Sequence, residues 1–208
     1  MAAISEMIVR EYFEQHGFLL RQYRKHVAPA GREDQDLDFL ALNPNAQIRS
    51  GEPPFVLSSP DLAFLERAVV VIRGWHTHVF SPALLAKAPE LFRFIENKAF
   101  QRVVRSFGKN GTLTKLLVVP ALPQEVQLRD QSINILRAKG IDAVIPFRTM
   151  LTDLVNQVEA SRNYQKSDVL QLIRILKNYD FLKSGQLELF KAKPKRLKPQ
   201  KEPADDSG

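Results

Sequence analysis

Two short apolar runs constrain this 208-residue chain most, because each carries a charge where a buried strand should have none. The first is Asp36-Leu-Asp-Phe-Leu-Ala-Leu-Asn43 and the second is Arg67-Ala-Val-Val-Val-Ile-Arg-Gly74. Strand alternation puts Asp36 and Asp38 on one face of the first run, and Val69, Val71 and Arg73 on one face of the second. An ionised carboxylate inside a sheet costs several kcal/mol unless a metal, a cation or hydrogen bonds compensate it. If the two runs pair, Asp38 and Arg73 are expected on adjacent strands with their side chains on the same side. A strand-end ion pair of Asp38 with Arg73 or Arg21 is the plainer account of the same acid.

Periodicity places the elements around these runs. Ile4, Met7, Ile8 and Tyr12 recur at helical spacing from Ile4 to about Gln15, and Gly17 suits the helix end. Phe18 to Tyr23 reads as a first strand, and Asn43-Pro44-Asn45 ends the strand that holds Asp38. Ser59-Pro60-Asp61 offers an N-cap with proline at the first helical position. Leu91, Phe92, Ile95, Ala99, Val103 and Val104 predict one helix over Pro89 to Phe107. Leu113 to Val119 reads as the apolar run of a central strand. Glu125 to Lys139 reads as a helix stopped by Gly140, and Ile141 to Ile145 as a strand. Beyond Pro146 the pattern turns helical twice, the second time from Ser167 as N-cap, with Ser161 to Lys166 as the link.

The sequence is therefore expected to give an α/β fold with a mixed central sheet flanked by helices, ordered helix, three strands, helix, strand, helix, strand. Residues 1–146 would form this core, 147–190 a C-terminal helical pair, and 191–208 a basic tail whose Pro/Lys-rich composition predicts disorder. The two last helices fit a helix-turn-helix, whose second helix would read a major groove, or a hairpin covering a sheet face; on the second reading Gln171, Arg174 and Lys177 form a solvated stripe.

The acid-bearing strand followed by a second charged strand resembles the restriction-endonuclease-like superfamily, the PD-(D/E)xK nucleases. In that family an acid on one strand and an acid-x-Lys triplet on the next bind a divalent metal and position the attacking water. Asp38 matches the first acid, and Val71-Ile72-Arg73 aligns with the triplet. The second acid is thus Val71 and the lysine Arg73, a degenerate site. A valine offers no oxygen to a hard cation, and arginine does not shed a proton. The resemblance implies a nuclease-like, nucleic-acid-binding protein that is catalytically degenerate. Its active alternative is a Mg²⁺-dependent endonuclease using Asp38 with Asp36, or with Glu11 on the first helix, in metal-assisted phosphodiester hydrolysis. A protein-interaction scaffold is the third reading, since fold does not fix function. Pro60-Asp61 spells the family's first motif too, but helix capping explains it.

Charge bears on the partner. The net charge is +7, of which six cations and three acids after residue 190 contribute +3, leaving +4 for the rest. Arg21, Arg24, Lys25 and His26, with Arg32, Arg49 and Arg73, are expected to form a basic rim around the acid-bearing cleft, suited to phosphates of DNA or RNA. Trp75 is a candidate to stack on a base if exposed, although filling the core is its more ordinary use. His76 and His78, two residues apart, are a transition-metal pair if Asp38 or Glu66 supplies a third ligand. With no cysteine in the chain, disulfides, thiolate catalysis and cysteine zinc sites are excluded. No apolar stretch approaches the roughly 20 residues of a membrane helix, so no membrane partner and a cytoplasmic location are expected.

Overall fold

A computed structural model describes residues 3–22, 37–74, 76–96, 98–107 and 111–182. Five strands form one mixed sheet whose spatial order equals their chain order: β1 (Leu19–Gln22), β2 (Phe39–Leu42), β3 (Arg67–Ile72), β4 (Leu113–Val119) and β5 (Ala143–Pro146). The pairs β1·β2 and β2·β3 are antiparallel, whereas β3·β4 and β4·β5 are parallel. Residues 55–57 add a short parallel edge beside β5: Val144 N–H donates to Phe55 and Leu57 N–H to Val144.

Parallel strands in mid-sheet need cover on both faces, and the apolar runs supply it. Ala68, Val70 and Ile72 of β3, Leu116 and Val118 of β4, and Ala143 and Ile145 of β5 face one core. The alternating residues Val69, Val71, Leu117, Val119 and Val144 face a second. The first core is closed by α1 (Ala3–Gln15), α6 (Phe147–Gln157) and α7 (Asp168–Asn178). The second is closed by α2 (Pro82–Lys87), α3 (Arg93–Glu96), α4 (Lys98–Phe107) and α5 (Val126–Ala138). The molecule is thus a three-layer α/β/α sandwich in which α6 and α7 share the core of α1.

Several local readings change. The buried stripe of α1 is Ser5, Val9, Tyr12 and Phe13, while Ile4 and Met7 are exposed, so the core-facing side lies about one residue round the helix from the expected one. The helix expected over Pro89 to Phe107 is divided into a 3-10 turn (Pro89–Phe92), α3 and α4. An unexpected α2 precedes it, begun by Ser81-Pro82, with Ser81 Oγ accepting from Leu84 N–H at 3.3 Å. Gly17 and Gly140 do end α1 and α5, at φ of 79° and 83°, left-handed values where a Cβ is strained. The Ser59–Phe64 segment is a 3-10 helix capped one residue earlier than expected: Asp61 accepts from the Ser58 backbone N–H at 2.9 Å and from its hydroxyl, the capping role the sequence assigns to Asp61.

The α6–α7 pair covers a sheet face, and its polar stripe is not simply solvated. Lys177 Nζ donates to Val158 O at 2.6 Å, Arg174 Nε to Ala160 O at 3.1 Å, and Gln171 Oε1 accepts from Tyr164 N–H at 3.2 Å. These three side chains of α7 fasten the link that carries the chain from α6. Backbone carbonyls in such a link need donors, which the long side chains provide. No helix among the described residues is long and apolar enough to cross a membrane. The tail from residue 191 lies outside the described residues.

Candidate functional site

The runs bearing Asp38 and Arg73 do pair, with Phe39 opposite Val70. Asp38 sits one residue before β2 and is fixed at two points: its N–H donates to Val70 O at 3.2 Å, and its carboxylate accepts from Ile72 N–H at 2.6 Å. Asp38 therefore straddles Val71, the position where the family resemblance puts the missing second acid.

The expectation that Asp38 and Arg73 share a sheet face does not carry through. Phe39 faces the first core whereas Leu37 joins the second, although an uninterrupted strand would keep residues 37 and 39 on one side. Alternation is broken at Asp38, whose carboxylate turns to the end of β3 instead of following the pleat. Arg73 follows the second face: its guanidinium lies 5.0 Å from the Phe94 ring centroid and donates to Leu91 O at 3.3 Å and Ile72 O at 3.2 Å. Only 9 % of Arg73 is exposed, so it serves as a packed, carbonyl-bonded cation and not as an open phosphate ligand.

Burial pushes the Asp38 carboxyl from its ordinary 3.8 to about 7, against the opposing pull of the Ile72 N–H and the Arg73 charge; the nearby negative charge of Glu6 raises it further. Glu6 belongs to α1 and is tied to the sheet edge by a relay: Gln22 Nε2 donates to Glu6 at 2.9 Å, and Arg10 Nη2 donates to Gln22 Oε1 at 2.9 Å. Beside it, Ser5 is buried and its hydroxyl lies 3.0 Å from His76 Nε2, whose ring meets Phe147 edge-on at 4.5 Å. Gly74 is required here, because a Cβ on it would come within 2.8 Å of Ser5 Oγ. One end of the sheet thus gathers Asp38, Glu6, Arg10, Gln22, Arg73 and the Ser5–His76 pair.

Other candidates fall elsewhere. Glu11 does not approach Asp38: its carboxyl, raised by burial, is hydrogen-bonded to Ser167 at the start of α7. Successive turns of α1 rotate it away from the sheet edge where Glu6 sits, so the acid contributed by the first helix is Glu6. Arg49 is not part of a rim beside Arg73. It pairs with Asp61 at 2.8 Å and lies over Phe64, in a hollow of about 570 Å³ lined by Glu66, Thr112 and Asp142 at the amino ends of β3, β4 and β5. Glu66 lies at that end too, accepting from Thr112 N–H, so the six-residue length of β3 separates it from His76 and His78. The histidine pair lies in the turn after β3, His76 on Ser5 and His78 Nδ1 3.1 Å from Thr77 Oγ1, not on a common strand face. Arg21 is exposed on the edge strand β1. Arg24, Lys25, Asp36 and Trp75 lie outside the described residues.

Among the described residues no three His, Asp or Glu side chains come together as a metal-binding group. Asp38 and Glu6 supply two carboxylates to one region, a set that could hold Mg²⁺ only together with retained waters and a substrate phosphate. The same end of the sheet opens, beyond β4 and β5, into a cleft of about 720 Å³ that sequence reasoning did not find. Its walls come from loops far apart in the chain, with no motif to mark them. The chain matches no family model, no curated protein and no solved structure.

Proposed function

We propose that the protein is a nuclease-like, nucleic-acid-binding domain whose catalytic centre is eroded. The observation that supports this best is the clamp of Asp38 across Val71: an acid held at the start of one strand, beside the end of the next, where a second carboxylate and a lysine would complete a metal site. The order α1, antiparallel β1–β2–β3, helical crossover and parallel β4 agrees with the core that the resemblance to PD-(D/E)xK nucleases implies. With Val71 in place of the acid and Arg73 bound to carbonyls under Phe94, the water-activating half of such a centre is missing. A buried carboxyl raised well above its ordinary value, despite the nearby Arg73 charge, fits an acid that has lost its metal.

The test compares the native chain with Val71→Glu/Arg73→Lys and with Asp38→Asn on supercoiled and single-stranded DNA in Mg²⁺ or Mn²⁺. The native chain is expected to cleave at background level. Robust native cleavage that Asp38→Asn abolishes would overturn the eroded reading and favour an active enzyme. Glu6 then becomes the partner acid to replace next, because it is the carboxylate whose charge reaches Asp38.

A further inference from the structure

The β4→α5 connection and the β5→α6 connection leave neighbouring parallel strands toward opposite faces of the sheet: Leu136 of α5 packs in the second core, while Phe147, Met150 and Leu154 of α6 pack in the first. Open α/β sheets bind ligands in the crevice such a divergence leaves beyond the carboxyl ends of the strands. The cleft of about 720 Å³ lies in this crevice, with Pro120–Gln124 on one side, Pro146, Arg148 and Thr149 on the other and Ser58–Pro60 as the third wall.

Its lining indicates the ligand chemistry. Arg129 and Arg148 both line the cleft, and neither guanidinium has an ion pair or hydrogen bond among the described residues. The one acid in the lining, Asp153, is occupied: it lies 2.8 Å from His16 Nε2 and accepts from Gln157 Nε2 at 2.7 Å. Thr149, Thr152 and Asn156 add neutral hydrogen-bonding groups on α6. Two unpaired guanidinium groups at a crevice that also offers neutral hydroxyl and amide groups match the oxygens of a phosphate, which arginine binds through paired N–H donors. The His76–Phe147 ring contact places the end of β3 beside the residue that precedes Arg148.

We propose that this cleft is a phosphate site that takes the backbone of a nucleic-acid strand, with Arg129 and Arg148 as its cationic ligands. The proposal rests on the nucleic-acid reading above and assigns the contact to the crevice instead of to the sequence-predicted rim at Arg21, Arg24 and Lys25.

The experiment is fluorescence anisotropy of a labelled 20-nucleotide single strand with the native full chain, Arg129→Ala/Arg148→Ala and Arg24→Ala/Lys25→Ala, each across a salt series. Inorganic pyrophosphate serves as competitor, and circular dichroism checks the fold of each variant. The crevice variant should lose affinity by roughly tenfold or more and reduce the salt slope by about two, one per phosphate contact removed. Native-like binding by a folded crevice variant overturns the site while leaving the nucleic-acid reading in place. Failure of the native chain to bind the strand overturns that reading and the backbone assignment together. Pyrophosphate binding to the native chain that the crevice variant abolishes, in that case, would identify free phosphate compounds as the source.

Discussion

Replacing Asp38 by asparagine should make the folded protein more stable at pH 8 and leave it nearly unchanged at pH 4. Burial raises the Asp38 carboxyl from 3.8 to about 7. The folded state therefore keeps a proton that the unfolded chain has already released. Stability from this group is fully present below about pH 4 and declines as pH rises toward 7, by up to about 1.4 kcal/mol per pH unit. Over the whole interval that amounts to on the order of 4 kcal/mol, a large share of the 5–15 kcal/mol typical of a domain. Asparagine keeps the shape and an oxygen for the Ile72 N–H but cannot ionise. Urea titrations of both proteins at pH 4, 5, 6, 7 and 8 would show the Asp38→Asn advantage growing from near zero and levelling above pH 7. Other groups, such as Glu11 with its partly buried carboxyl, titrate alike in both proteins and cancel in the difference. Parallel stability curves, or an asparagine variant less stable at pH 8, would refute the claim that burial governs Asp38.

Gly74→Ala should destabilise by about 1–3 kcal/mol, since the new methyl meets the buried Ser5 hydroxyl at 2.8 Å; an unchanged urea midpoint would remove the close approach from the account. Lys177→Ala should cost about 1–2 kcal/mol by leaving the Val158 carbonyl without its 2.6 Å donor, with faster amide exchange in the 158–164 link as its local signature. Arg49→Ala should cost at most about 1 kcal/mol, as expected for a partly exposed ion pair, and leave nucleic-acid affinity unchanged, because Arg49 lines the other hollow and not the crevice.

The strands were legible because Ala68–Ile72 of β3 and Leu116–Val119 of β4 are apolar runs with both faces buried, and the pairing of β2 with β3 followed from their alternation. Asp38 was legible as an anomaly for the same reason. Its orientation was not, because parity arguments hold only while the pleat is regular, and the pleat breaks at Asp38, between Leu37 in one core and Phe39 in the other. Glu11 followed from the family resemblance and not from the helix pattern, and nothing in that pattern marked Glu6, since Ile4 and Met7 advertise an apolar face that the helix turns outward. Which side of a short helix is buried depends on what it packs against. A line of periodic residues with two solutions does not settle it. Arg129 and Arg148 carried no local signal, since their proximity arises from connections that diverge after β4 and β5. Gln171, Arg174 and Lys177 looked like a solvated stripe because their partners are backbone carbonyls, which leave no trace in side-chain patterns.

The central claim, that this chain binds nucleic acid through its charged sheet end, is tested most directly by measuring the affinity of the native protein for a short labelled strand from 50 to 300 mM salt. The account predicts a logarithmic affinity that falls linearly with the logarithm of salt concentration, with a slope reflecting several phosphate contacts. Absence of binding at 50 mM salt, or affinity independent of salt, would contradict it.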